Sequence, residues 1–267
     1  GVWERNEIAS YTAGTITLTD PLENTYTSGA QVIVFPEYTN VTVNSGITWT
    51  AKAWTGSVGG ILLFLANGTV TGTGTISANG GDGSSNVQTN NSGGGSGGGY
   101  RGGNVSYVSS PNAWSGEGTS GASAQQRAAN GTGGGGGGGG TGPGGPGGGG
   151  GHSASGSDGS GNNFGTGGGI TGSADLTTMT FGGGGGGGGE NPTNNTGGGG
   201  SGGGAIFFYG ATVAEITGSV TANGGNGGGA STGQAGGGGA GGSVLIKAQT
   251  ATLGTNKVTA TAGSGGT

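Results

Sequence analysis

The chain has 267 residues, 82 of them glycine, with only 28% hydrophobic and 6% charged residues and a formal net charge of −5. So little apolar side-chain volume closes the ordinary route of burying a large core over most of the length. With no cysteine and a single histidine, His152, no disulfide, thiolate metal site or histidine cluster is available, and the six Lys and Arg residues are too few and too scattered to bind nucleic acid.

Residues 1–58 read as β throughout. Runs at 15–18, 31–35, 41–43 and 47–50 are short and alternating or β-branched. Asp20-Pro21, Ser28-Gly29, Phe35-Pro36 and Asn44-Ser45-Gly46 separate them with turn residues. No charged and apolar leader follows Gly1, so a signal peptide is expected to have been removed or to lie outside this sequence. The longest apolar runs, 61–66 and 205–209, are too short to span a bilayer.

The next feature is an internal repeat. An apolar run opened by Gly60 leads to the stretch 74–83; the same pattern runs from Gly204 to 218–227 and from Gly242 to 256–265. Ile76, Val220 and Val258 fall at one offset from the opening glycine, and Ala78, Ala222 and Ala260 follow two positions later. Each copy is strand, turn, strand, and a unit of this size cannot bury its own apolar face, so the copies are expected to stack as solenoid coils do.

Residues 84–203 separate copies one and two, and 228–241 separate copies two and three. Glycine blocks at 133–140, 147–151, 182–189, 197–200 and 236–239 lie in these insertions. Glycine has the most backbone entropy to lose on ordering, yet a chain without Cβ atoms can approach its neighbours closely enough for main chains to bond to one another. In a three-residue-per-turn left-handed conformation an eight-glycine block would run about 25 Å. The expectation is therefore a bundle of polyglycine II helices pinned at both ends to the β core.

The stretches 99–103 (Gly-Tyr-Arg-Gly-Gly), 116–121, 129–131 and 150–159 resemble bacterial and phage glycine-rich surface proteins. The alternation of glycine blocks with polar loops is also similar to the polyglycine II sandwich of phage tail-fibre tip adhesins and to the glycine-rich domain of certain receptor tyrosine kinase ectodomains. The resemblance implies an architecture more than an activity.

Motifs for chemistry are sparse. G-x-G-x-x-G matches are numerous because glycine is, and none sits between a strand and a helix with a following acidic residue; no phosphate-binding loop surrounds Lys52, Lys247 or Lys257. Asp82 and Asp158 lie near tight turns without completing a calcium loop, and Asx turns are the expectation there. Glu117, Asp158, Asp175 and Glu190 show no spacing that argues for paired acid and base. Sequons at Asn40, Asn67, Asn90, Asn104, Asn130 and Asn194 would accept glycans in a glycosylating secretory pathway. Tyr107, Trp114, Arg127 and Phe164 sit in polar segments within the insertion, where aromatic and Arg side chains on a rigid scaffold suit ligand binding; the competing expectation is that Trp114, Phe164 and Phe181 lie over the glycine tracts as apolar cover.

The expected fold is all-β: a short-coil β-solenoid or β-sandwich core with an inserted bundle of polyglycine II helices. Its parts are an N-terminal β region (1–58), a β-coil core (59–83 with 204–267) and the inserted module (84–203). The expected function is a non-catalytic, extracellular or surface structural or adhesive protein that assembles with copies of itself into a filament, sheath or fibre. The alternatives are a receptor-binding tip that recognises a cell-surface glycan or protein, and a polysaccharide-acting β-helix enzyme. No cofactor, metal, nucleic acid or membrane span is expected.

Overall fold

Local sequence sets the first element pair. In the computed structural model, which describes residues 4–89, 91, 93–106, 112–139, 144–189 and 195–267, β1 (Ile8–Thr12) pairs antiparallel with β2 (Thr15–Leu18). Ala13 and Gly14 between them both have positive φ, as a two-residue hairpin turn needs to match the strand twist. The run 31–35, expected as a strand, enters no sheet. Val32 and Val34 are 69% and 75% exposed there, so its alternation has no face to bury.

The chain divides into two compact units, Gly1–Val34 and Phe35–Thr267. The second is a stack of parallel coils. β3 (Glu37–Tyr38), β4 (Val41–Val43) and β5 (Thr48–Thr50) form a first, interrupted coil. β6 (Ile61–Gly72) with β7 (Thr75–Ser77), β8 (Ala205–Ile216) with β9 (Ser219–Thr221), and β10 (Ser243–Leu253) with β11 (Val258–Thr259) form three more. One sheet runs β10-β8-β6-β3, with β4 also on β6, and the other runs β11-β9-β7-β5. Ile61 lies beside Ala205 and Ala205 beside Ser243; Ile76 lies beside Val220 and Val220 beside Val258.

Period-two alternation turns Leu62, Phe64 and Ala66 of β6, and Ile206 and Phe208 of β8, inward against Ile76, Val220, Ala78 and Ala222. Because successive coils repeat the same residue at the same place, side chains stack along the axis. Trp49 lies on Phe64 with ring centroids 4.7 Å apart, and Phe64 on Phe208 at 4.8 Å and 8°. Asn and Asp side chains form a second ladder. Asn223 N–H donates to Asn79 Oδ1 (2.8 Å), Thr261 N–H to Asn223 Oδ1 (2.9 Å), Asn226 N–H to Asp82 Oδ1 (2.6 Å) and Ser264 N–H to Asn226 Oδ1 (2.9 Å).

Beyond the strands each coil runs on into glycine. The tract 182–189 is buried throughout and holds the centre. Gly182, Gly185 and Gly188 donate to the carbonyls of Gly203, Gly200 and Gly197; Gly183, Gly186 and Gly189 to Gly151, Gly148 and Gly145; Gly184 and Gly187 to Glu117 and Trp114. Its own carbonyls accept from Gly135 and Gly138, from Gly237 and Ala240, and from Gly103 and Ser106. The partner changes with each residue and recurs every third, so one thread bonds to six others. Side chains would prevent this approach: a Cβ on Gly183 would stand 1.8 Å from Gly133 O, and one on Gly184 2.0 Å from Arg101 O.

The expected inserted bundle of helices is therefore corrected. Among the described residues no segment is helical, and the central tract makes no hydrogen bond within itself. The glycine segments are extended threads bonded sideways to distant parts of the chain, including the tails of the coils at 78–83, 222–228 and 260–266. The physical reason is that a bare main chain can direct every N–H at a neighbour, leaving no local hydrogen bond to wind it.

Candidate functional site

Of the residues expected at a binding surface, Arg127 and Phe164 come together. Arg127 is exposed, and its Nε donates to Phe164 O at 3.2 Å while Nη1 lies 3.4 Å from Asn163 Oδ1. Phe164 is half-buried. Trp114 is half-buried on another tract, where its N–H donates to Asn104 O and its carbonyl accepts from Gly187. Tyr107 lies outside the described residues, as do Glu190, Asn90 and Asn194.

A different cluster gathers aromatic and charged groups. Trp54, Tyr100 and Phe181 pack edge to face, with centroids 5.2 to 6.3 Å apart. Phe181 reaches its place because Gly60, with φ +77°, has no side chain; a Cβ there would stand 2.7 Å from the Phe181 ring and 2.5 Å from Gly98 O. Behind the rings the Glu117 carboxylate is 3% exposed. Trp54 Nε1 donates to its Oε2 at 3.1 Å, Arg101 N–H to Oε2 at 3.0 Å and Arg101 Nε to Oε1 at 2.7 Å, with Arg101 Nη2 completing a fork on Oε1. The hydrogen bond to Glu117 holds Arg101 above its usual range, while burial and then the Glu117 charge push the Tyr100 hydroxyl up.

This cluster was not singled out as a site in the sequence. Tyr100 and Arg101 stand within a glycine stretch noted only for its resemblance to surface proteins. The available signal was a cation and an anion 16 positions apart in a charge-poor region. Both carboxylate oxygens of Glu117 face internal donors, so the cluster acts as a clamp joining residues 54, 100–101, 117 and 181, and the acid has no open position from which to meet a substrate.

The remaining candidates also bond inward. His152 is buried, with Nε2 3.2 Å from Thr180 O and 3.3 Å from Ser243 Oγ; burial lowers its pKa, and the Thr180 carbonyl partly opposes that. Asp158 Oδ1 accepts Gly167 N–H at 2.7 Å. Asp82 accepts from the next coil rather than from a local turn. Asp175, on an exposed loop, is lowered to about 2 by hydrogen bonds from Ser173 first and then Thr177. Among the described residues no three His, Asp or Glu side chains converge as a metal-binding group. Asn130 is buried, its Nδ2 within 3.0 to 3.1 Å of the carbonyls of Gly116, Gly121 and Ala122, so this sequon asparagine is turned into the protein.

No family model matches the chain, and no curated protein or solved structure matches it. Among the described residues no helix is long and apolar enough to cross a membrane.

Proposed function

We propose that the protein is a non-catalytic extracellular structural protein, a self-assembling subunit of a surface filament, sheath or fibre. The observation that carries this reading is the contrast between the second and third large coils. Ile206 and Phe208 in β8 are fully buried between neighbours, whereas Val244 and Ile246 at the matching positions of β10 are only partly covered. β10 pairs with β8 on one side and, among the described residues, with no strand on the other. An uncovered coil with an unpaired edge offers another chain a ready template. The inward bonding of Glu117, Asp82 and Asp158 adds to the reading, because it gives these carboxylates structural partners.

Electron microscopy of the purified protein over a concentration series tests the proposal. Fibres or sheets that lengthen with concentration are expected. Discrete single-chain particles at the highest concentration reached would overturn it.

A further inference from the structure

The third coil repeats the second at a spacing of 38 residues: Ala205 pairs with Ser243, and Asn223 Oδ1 receives Thr261 N–H. In the second coil, two rows of amides bond to the third. Gly197, Gly200 and Gly203 donate to the carbonyls of Gln234, Gly237 and Ala240, and Gly224 and Gly227 donate to those of Thr261 and Ser264. Moved on by 38, the same rows are Ala235, Gly238 and Gly241, with Ala262 and Gly265. Among the described residues none of these five N–H groups has a hydrogen-bond partner. All five line one groove of about 400 Å3, which is also lined by residues 146, 147, 149, 150 and 152–160.

Donors at every third residue along two adjacent threads match an extended chain that presents carbonyls at the same repeat. The row from Ala235 to Gly241 spans about 19 Å at a rise of about 3.1 Å per residue. The threads of the floor stand too close for side chains between them: a Cβ on Gly238 would lie 2.3 Å from Gly263 O, and one on Gly263 2.1 Å from Gly225 O. A thread laid on these rows at the same spacing must itself be glycine-rich.

We propose that this groove is a docking site for a glycine-rich extended tract of a second copy of the chain. The inference rests on the self-assembly reading and locates its interface. The occupant follows from continuity. The contact between the second and third coils is this interface already made once within the chain, and the chain's own tracts have the composition the groove accepts. The unpaired edge of β10 belongs to the same coil, so groove and strand edge are available together.

Proline tests it with little disturbance. Ala235 and Ala262 already carry a Cβ, and their N–H groups bond to nothing inside, so Ala235→Pro with Ala262→Pro removes two docking donors and no internal bond. Sedimentation velocity over a concentration series, with melting temperatures and NMR amide exchange at Gly238 and Gly241, reads the outcome. Wild type is expected to associate and to slow exchange at both glycines as it does so. The double variant is expected to keep its melting temperature and to lose at least tenfold in association constant. If the variant associates like wild type, the groove is not the interface, although self-assembly survives. If wild type stays monomeric throughout, self-assembly itself fails, and protection of these amides by an added glycine-tract peptide would then assign the groove to a different protein. Should the variant not fold, unchanged exchange at Gly238 and Gly241 in wild-type assemblies overturns the proposal.

Discussion

A Cβ built on Gly186 would stand 1.9 Å from Gly136 O, and the nearest atoms are all main chain of Gly136 and Gly137, so nothing there can rotate away. Gly186→Ala is therefore expected to destabilise the fold by about 1–3 kcal/mol or more, the range for forcing atoms into a filled interior. Gly169 is the control: nothing lies within 4 Å of its added Cβ and its φ is not positive. Gly169→Ala is expected to be neutral or to stabilise by about 0.4–1 kcal/mol, because alanine narrows the unfolded ensemble. Thermal melts of the two variants check this, and equal losses would contradict a lattice that is selective about where glycine is needed. His152 supplies a pH signature at the same scale. Its folded pKa lies below the ordinary value, so over the interval of falling pH below about 6.5 the unfolded chain takes up a proton that the folded chain resists. The stability from this group is complete above about pH 6.5 and is lost as pH falls through the lowered folded value. His152→Gln should show a smaller drop in melting temperature over that interval than wild type.

Coils are joined by side-chain acceptors as well as by strands. Asn223 Oδ1 accepts from Thr261 N–H at 2.9 Å and from Thr261 Oγ1 at 3.1 Å. Replacing it with alanine removes both bonds, at about 0.5–1.5 kcal/mol each. Asn223→Ala is thus expected to lose about 1–3 kcal/mol and to speed amide exchange at Thr261, while Ser264, held by Asn226, keeps its protection. Equal acceleration at both would mean that the third coil opens as one body. The coil register was legible in the sequence because Ile76, Val220 and Val258, and the amides Asn79 and Asn223, recur at fixed offsets and have side chains that mark a face. The partners of the glycine tracts were not legible. A thread such as 182–189 bonds through its main chain, and identical residues carry no mark of which neighbour each amide meets. The run 31–35 failed for the opposite reason, since its side chains alternate as a strand's would and no sheet receives them. Of the residues singled out in the sequence, Arg127 and Phe164 are neighbours only through a hydrogen bond from Arg127 Nε to the Phe164 carbonyl, while the Trp54, Tyr100, Arg101 and Glu117 cluster was not legible because it depends on contacts between residues up to 63 positions apart.

For the whole molecule, the central tract ties together residues 103–106, 114–117, 135–138, 145–151, 197–203 and 237–240. No one of these can leave without breaking bonds to the centre, so local opening of 182–189 requires most of the second unit to come apart. Its amides are accordingly expected to exchange through global unfolding, as slowly as those of β6 and β8 around the stacked Phe64 and Phe208. The β1–β2 hairpin is a contrast within the same chain: β1 is exposed along its whole length, and an isolated two-strand ribbon is marginal in water. Hydrogen exchange followed by NMR separates these classes. A flexible glycine linker would lose its protection within the dead time of the measurement, and that result for residues 182–189 would remove the basis for a rigid surface scaffold. Protection equal to that of β8, rising in parallel with it as the protein is stabilised, is the expected result.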